Sequence, residues 1–144
     1  MTLYDKFKKI NDLKKKELIV DALKQNSSKV LKEILSYTYD ENIIWLLPEG
    51  DPLYTASKDN PVDLLTGLVQ QMRRIPIMLN TGEYPNLKPS RREEIFLEII
   101  QTIHPDDAKL LLAMKNRKLP FEYITIETIE KAFPQLVEKW KKRT

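Results

Sequence analysis

Apolar residues recur every three or four positions along most of this chain, and almost nowhere do they alternate as a half-buried strand requires. Leu3, Phe7 and Ile10 follow Thr2, a favourable N-cap, and predict a short first helix. Leu18, Ile19, Ala22 and Leu23 predict a second over Lys14–Gln25, stopped at Asn26-Ser27-Ser28. Val30, Leu31, Ile34 and Leu35 place a third over Lys29–Tyr37. Asp40 reads as the cap of a short fourth piece, Asn42–Leu46, which Pro48 ends by forcing Leu47 out of helical geometry. Trp45, Leu46 and Leu47 read as core anchors.

A long connection, Leu47 to Asn60, carries Pro48, Gly50 and Pro52. Unstructured loops of this length are uncommon in compact domains and are often functional. Pro61 then starts a helix with Val62, Leu64, Leu65, Leu68, Val69 and Met72 apolar on two sides, a pattern expected of a central element containing Gly67. Pro76 kinks or restarts the chain after Arg73-Arg74. A second loop spans Asn80–Pro89, and Ser90 with Glu93 reads as a capping box before Ile95, Phe96, Ile99 and Ile100. His104-Pro105-Asp106-Asp107 opens the next helix, and Phe121–Ile124 reads as loop. Thr125 caps a helix to about Phe133, and Pro134 opens a last one through Leu136, Val137 and Trp140. The expected fold is all-α, a compact orthogonal bundle of about eight short helices in a single domain, 1–144, with 136–144 a basic helix end or tail. Residues from Lys14 and from Arg91 onward share a layout of basic start, helix, capped corner and second helix, which raises the reading of two pseudo-repeated αα-hairpins.

Composition agrees with a globular protein: 42% of residues are hydrophobic and 31% charged. No cysteine is present, which excludes disulfides, thiol nucleophiles and cysteine-ligated zinc. No apolar run approaches the roughly 20 residues of a membrane span, and Met1–Phe7 lacks the apolar core of a secretory signal, so the protein is expected to stay where it is made. The net charge of +3 divides into basic ends and an acidic middle. Most of the basic residues sit where they complement helix C-termini.

Chemistry is sparse. With only Gly50, Gly67 and Gly82, neither a dinucleotide fingerprint nor a P-loop can be written. One histidine and no cysteine leave no ordinary zinc set, and nothing implies a cofactor. His104 beside Asp106 and Asp107 has a catalytic reading, a general base oriented by a carboxylate. The capping reading is preferred: Pro105 suits N1, and Asp106 and Asp107 at N2 and N3 complement the helix dipole. Asp40, Glu41, Glu49 and Asp51 form an acidic cluster, read either as a docking surface for a basic partner or cation or as a solvated turn.

The segments L-K-E-I-L-S-Y-T-Y-D-E-N-I-I-W-L-L-P-E-G-D-P-L-Y, H-P-D-D-A-K-L-L-L-A-M-K-N-R-K-L-P and I-T-I-E-T-I-E-K-A-F-P resemble a family of small uncharacterised proteins encoded by tailed bacteriophages, over residues 14–54 and 90–136. The resemblance implies a phage gene product acting in the cytoplasm of an infected bacterium. It brings no activity, cofactor or catalytic residue.

The resulting expectation is a non-enzymatic protein that binds a host or phage macromolecule, a protein foremost, through its two Pro-rich loops. Leu53, Tyr54 and Tyr84, with Arg73 and Arg74 between the loops, are the candidate contact residues. The alternative is a nucleic-acid-binding accessory protein using Lys14–Lys16, Arg73-Arg74, Arg91-Arg92, Lys115, Arg117, Lys118 and the tail Trp140–Arg143. Neither reading involves a membrane.

Overall fold

In the computed structural model, which describes residues 2–55 and 67–142, four helices begin where a side chain offers a first-turn backbone N–H a partner: Thr2, Ser28, His104 and Thr125 are those caps. Helix α1 (Leu3–Asn11) starts in a reciprocal capping box: the Thr2 hydroxyl accepts from the Asp5 N–H at 3.0 Å, and the Asp5 carboxylate accepts from the Thr2 N–H at 3.4 Å. The remaining helices are α2 (Lys16–Gln25), α3 (Lys29–Tyr39), α4 (Leu68–Gln71), α5 (Pro89–Thr102), α6 (Pro105–Lys115), α7 (Ile126–Ala132) and α8 (Pro134–Lys142). The described residues are thus helical, with no strand beyond one isolated bridge.

Helix α6 occupies the middle. Ala108, Leu110, Leu111, Leu112 and Met114 are all buried, and the helix packs against α1, α3 and α5. Its start is joined to that of α1, because Asp107 turns inward and accepts from the Tyr4 N–H at 2.9 Å. Phe121, in the loop after α6, stacks on Phe7 with ring centres 5.8 Å apart and tilts against Tyr4. Of the segment from Pro61 expected to be central, Leu68 and Met72 are buried and Val69 is exposed; positions 61–66 lie outside the described residues. Among the described residues no helix is long and apolar enough to cross a membrane.

Several boundaries differ from the sequence reading, each for a local reason. Helix α2 begins at Lys16 rather than Lys14, because Lys14 adopts φ 63°, a left-handed conformation that ends the preceding turn. Leu18 is consequently exposed while Ile19 and Leu23 face the core. Gly67 is the N-cap of α4 and not an interior residue. At Met72 the chain tightens into a 3₁₀ helix, Met72–Met78, with Pro76 inside it. Proline lacks the N–H and crowds the carbonyl four residues back. With three residues per turn, Met72, Ile75 and Met78 align on one face, and these three are the buried ones. The predicted Ser90–Glu93 capping box does not form: Pro89 takes the first turn of α5 after Lys88, and no side chain caps it.

The largest difference is at Asp40. It does not cap a helix over 42–46. It is the C-cap of α3, and its carboxylate accepts from the backbone and side-chain nitrogens of Asn42 at 3.0 and 2.9 Å. Residues 44–46 run extended beside 78–80: Leu46 N–H donates to Met78 O at 2.7 Å, Asn80 N–H to Ile44 O at 3.0 Å, and Trp45 bridges Leu79. The core-anchor reading of Trp45 holds, since it is buried edge-on to Phe96 at 6.4 Å.

The corner after Leu79 requires a glycine. A Cβ on Gly82 would lie 2.0 Å from Pro76 O. The layout shared by α2–α3 and α5–α6 does not extend to packing: α2 packs chiefly against α7, whereas α5 packs against its own successor α6.

Candidate partner-binding surface

The C-terminus of α6 organises the loop that follows Trp45. Asn116 is its C-cap, and Arg117 follows at φ 69°. Arg117 N–H donates to Met114 O at 3.0 Å and Lys118 N–H to Ala113 O at 3.1 Å, the pair of bonds of a Schellman ending. That left-handed position is usually glycine, because a Cβ there costs about 1 kcal/mol. Here it aims the Arg117 guanidinium at three main-chain carbonyls: Tyr37 O at 3.3 Å, Ile43 O at 2.6 Å and Asp40 O. Burial lowers the guanidinium's pKa, and the nearby Asp40 and Glu41 oppose the shift.

The two residues before Arg117 fasten the same loop farther along. Lys115 is buried, and its ammonium donates to Gly50 O at 2.7 Å. Asn116 Nδ2 donates to Asp51 Oδ1 at 2.8 Å. Beyond Leu53, Thr55 N–H donates to Gln101 Oε1 of α5 at 3.3 Å. Three consecutive residues, Lys115-Asn116-Arg117, thus hold carbonyls and a carboxylate spread over positions 37–51.

Between this held loop and α5 lies a cleft of about 320 Å³, lined by Leu47, Pro52, Leu53, Phe96 and Leu97 with Glu49 and Glu93 among its polar residues. A second, more open cleft of about 550 Å³ lies on the other side of residues 47–50, with Glu41 and Ile44 beside Leu47 and Pro48. Leu53 is 98% exposed and Ile44 57% exposed.

The candidate contact residues separate on this framework. Leu53 stands free at the first cleft, while Tyr54 is partly buried against the core and acts as its support. Tyr84 is exposed, but it lines a different depression formed by residues 83–87. That loop is held from below by Arg92, a buried side chain donating to Ile77 O at 3.0 Å and Tyr84 O at 2.9 Å. Arg73 is exposed; Arg74 is half-buried and engaged with Gln71 at 3.1 Å and Glu98 at 3.3 Å. Leu53 and Tyr84 thus line different depressions, one against Glu93, Phe96 and Leu97 of α5 and the other over Arg92. Of the acidic cluster, Asp40 is buried, Asp51 is bonded to Asn116, and Glu41 and Glu49 remain exposed.

Several of the basic residues named for a nucleic-acid surface are engaged, though Lys14, Lys15, Arg73 and Lys118 are exposed. Lys16 pairs with Glu127, Arg91 with Glu94, Lys141 with Glu130 and Lys142 with Glu138. Lys115, Arg117 and Arg92 point into the protein. A groove of about 560 Å³ between α3 and α8 carries Lys29, Lys32 and Lys139. His104 has the geometry of a cap: its Nδ1 accepts from the Asp106 N–H at 3.0 Å, so that nitrogen's lone pair is spent on the helix. Asp107 bonds Tyr4 instead of orienting the imidazole, and burial raises its pKa against the opposing pull of the Tyr4 N–H.

The loop clamp was not visible in the sequence, where Lys115 and Arg117 counted as surface charge. The one available signal was a helix ending in Asn-Arg with no glycine to take the left-handed position.

The chain belongs to a family of unknown function (DUF6433), whose profile matches residues 7–120 and so includes the clamp, both loops and α5. No curated protein and no solved structure matches it significantly.

Proposed function

We propose, taking membership of a family without an assigned activity as the premise, that this protein works by binding another protein and not by catalysis, with the loop 47–53 and its cleft against α5 as the contact surface. The observation that carries the reading is Leu53: a large apolar side chain, 98% exposed, on a backbone already fastened on both sides. Holding a loop in place before contact removes the ordering cost that association otherwise bears, and an exposed apolar side chain beside an apolar cleft is a natural anchor. The resemblance to proteins of tailed bacteriophages makes the setting the cytoplasm of an infected bacterium, and the partner a host or phage protein.

The test is affinity capture of the tagged protein from infected cells, in parallel with Leu53→Asp. Because Leu53 touches almost nothing, its substitution is expected to move stability by no more than about 0.5 kcal/mol. A specific protein should be captured by the parent chain and lost by the variant. Equal recovery by both overturns the proposal.

The groove bearing Lys29, Lys32 and Lys139 supports a second reading, nucleic-acid binding. Binding of that kind weakens steeply with salt, and a filter-binding titration across ionic strength with Lys29→Glu/Lys32→Glu tests it. Loss of single-stranded DNA affinity in the variant supports the second reading; absence of affinity at low salt removes it.

A further inference from the structure

We infer that the occupant of the Leu53 cleft is a basic apolar peptide segment, one that seats apolar side chains between residues 47–53 and α5 and sets lysines or arginines against Glu41, Glu49 and Glu93. This rests on the proposal that the surface binds a protein, and it adds the chemistry of what is bound.

The argument is one of direction of charge. Two cations, Lys115 and Arg117, lie among the residues around the two clefts. Both are committed inward to main-chain carbonyls, Lys115 to Gly50 and Arg117 to Tyr37, Asp40 and Ile43. Lys115 is itself buried. The carboxylates behave oppositely. Glu41 and Glu49 are exposed and Glu93 half-exposed; none of the three makes a hydrogen bond or ion pair among the described residues, and Glu41 feels only the inward-directed Arg117 nearby. Asp51, also exposed, gives one oxygen to neutral Asn116 and so keeps its charge. Among the described residues, the apolar strip of Ile44, Leu47, Pro48 and Leu53 is therefore bordered by outward-facing negative charge, on a chain whose net charge is +3.

Screening at physiological salt limits the reach of a surface charge to roughly 8 Å. A partner docking here feels this local border and not the basic ends of the chain. Complementary charge at an interface rim steers encounter and rejects like-charged partners, while the apolar centre supplies affinity. An acidic segment of the same apolar pattern would meet repulsion at Glu41, Glu49 and Glu93, with no outward cation among the described residues lining the two clefts to offset it.

The experiment uses the full chain, fluorescently labelled, on an array of peptides that share one apolar pattern and carry Lys, Glu or Ser at every other position. Binding of the Lys series over the Glu and Ser series by at least about tenfold, about 1.4 kcal/mol, and weakening with added salt, supports the inference. Glu41→Lys/Glu49→Lys/Glu93→Lys should then move the preference to the Glu series, and Glu41→Lys/Glu49→Lys serves where the triple variant fails to fold. Equal binding of all series, preference for the Glu series, or no binding of the Lys series overturns it. Leu53→Asp separates the two levels of the argument. If it abolishes binding of whichever series is preferred, the surface stands even where the charge assignment falls; if it leaves binding unchanged, the surface reading falls as well.

Discussion

Arg117 offers the sharpest check on how the loop is held. Removing its guanidinium by Arg117→Ala does not orphan all three carbonyls. Tyr37 O retains the Trp45 indole N–H at 2.9 Å, and Asp40 O retains the Ile43 N–H at 3.1 Å. Ile43 O, bonded by Arg117 at 2.6 Å, is left with water alone. A hydrogen bond from a charged donor contributes about 1.5–3 kcal/mol. With one carbonyl orphaned, two weakened and the site half-exposed, the loss should be about 2–3 kcal/mol. Alanine keeps the left-handed strain at φ 69°; glycine does not. Arg117→Gly should therefore be about 1 kcal/mol more stable than Arg117→Ala and still below the parent. At about 4 °C per kcal/mol for a domain of this size, alanine should lower Tm by about 8–12 °C, and glycine by about 4 °C less. Urea and thermal unfolding measure the order; hydrogen exchange at residues 42–46 locates the effect. An alanine variant as stable as the parent would show that the guanidinium contributes nothing, and equal melting of the alanine and glycine variants would refute the strain argument.

Three further outcomes follow from the geometry. Gly82→Ala drives a Cβ to 2.0 Å from Pro76 O, and the backbone shift this forces should destabilise the protein by about 2 kcal/mol or more in urea. His104→Ala should remove a cap and cost about 1 kcal/mol while leaving partner capture untouched; loss of function without loss of stability would reopen the catalytic reading. Asp107 carries a raised pKa caused first by burial, so the folded state holds its proton more tightly than the unfolded chain does. Its contribution is then full below about pH 4 and declines as pH rises through the raised value. Compared with Asp107→Asn, which keeps an acceptor for Tyr4, the parent should lose relative stability across that window. A urea midpoint difference moving in the parent's favour with rising pH contradicts this sign.

Much of the helical plan was legible because its causes are local. Thr2, Ser28 and Thr125 each accept a backbone N–H of their own first turn, and Pro105 and Pro134 open helices where a missing N–H costs nothing. The misreadings come where a distant residue offers the backbone a better bargain. Asp40 followed by Asn42–Leu46 has the composition of a capped helix, yet the carbonyls at 37, 40 and 43 are taken by Arg117 and the amide of Leu46 by Met78. Helix over 42–46 would forfeit those bonds. Nothing within several residues of Asp40 announces an arginine some eighty positions later.

The same limit explains why the site was only half legible. Leu53 was a fair candidate, since an apolar residue in a Pro-rich loop has few local reasons to be buried. Lys115 and Arg117 were misjudged because a sequence gives the sign of a charge and not its direction. A helix C-terminus attracts cations, and from that rule alone both look like surface. What reverses the reading is that α6 is central: a side chain leaving its last turn meets the loop after α3 before it meets solvent. Burial of the helix thus decides where the positive charge goes, and the positive charge decides which carboxylates are left facing out. Glu49 and Glu93 at the Leu53 cleft, and Glu41 at the cleft beside it, face outward for that reason. The acidic character of the surface, in a basic protein, is a consequence of how the core is filled.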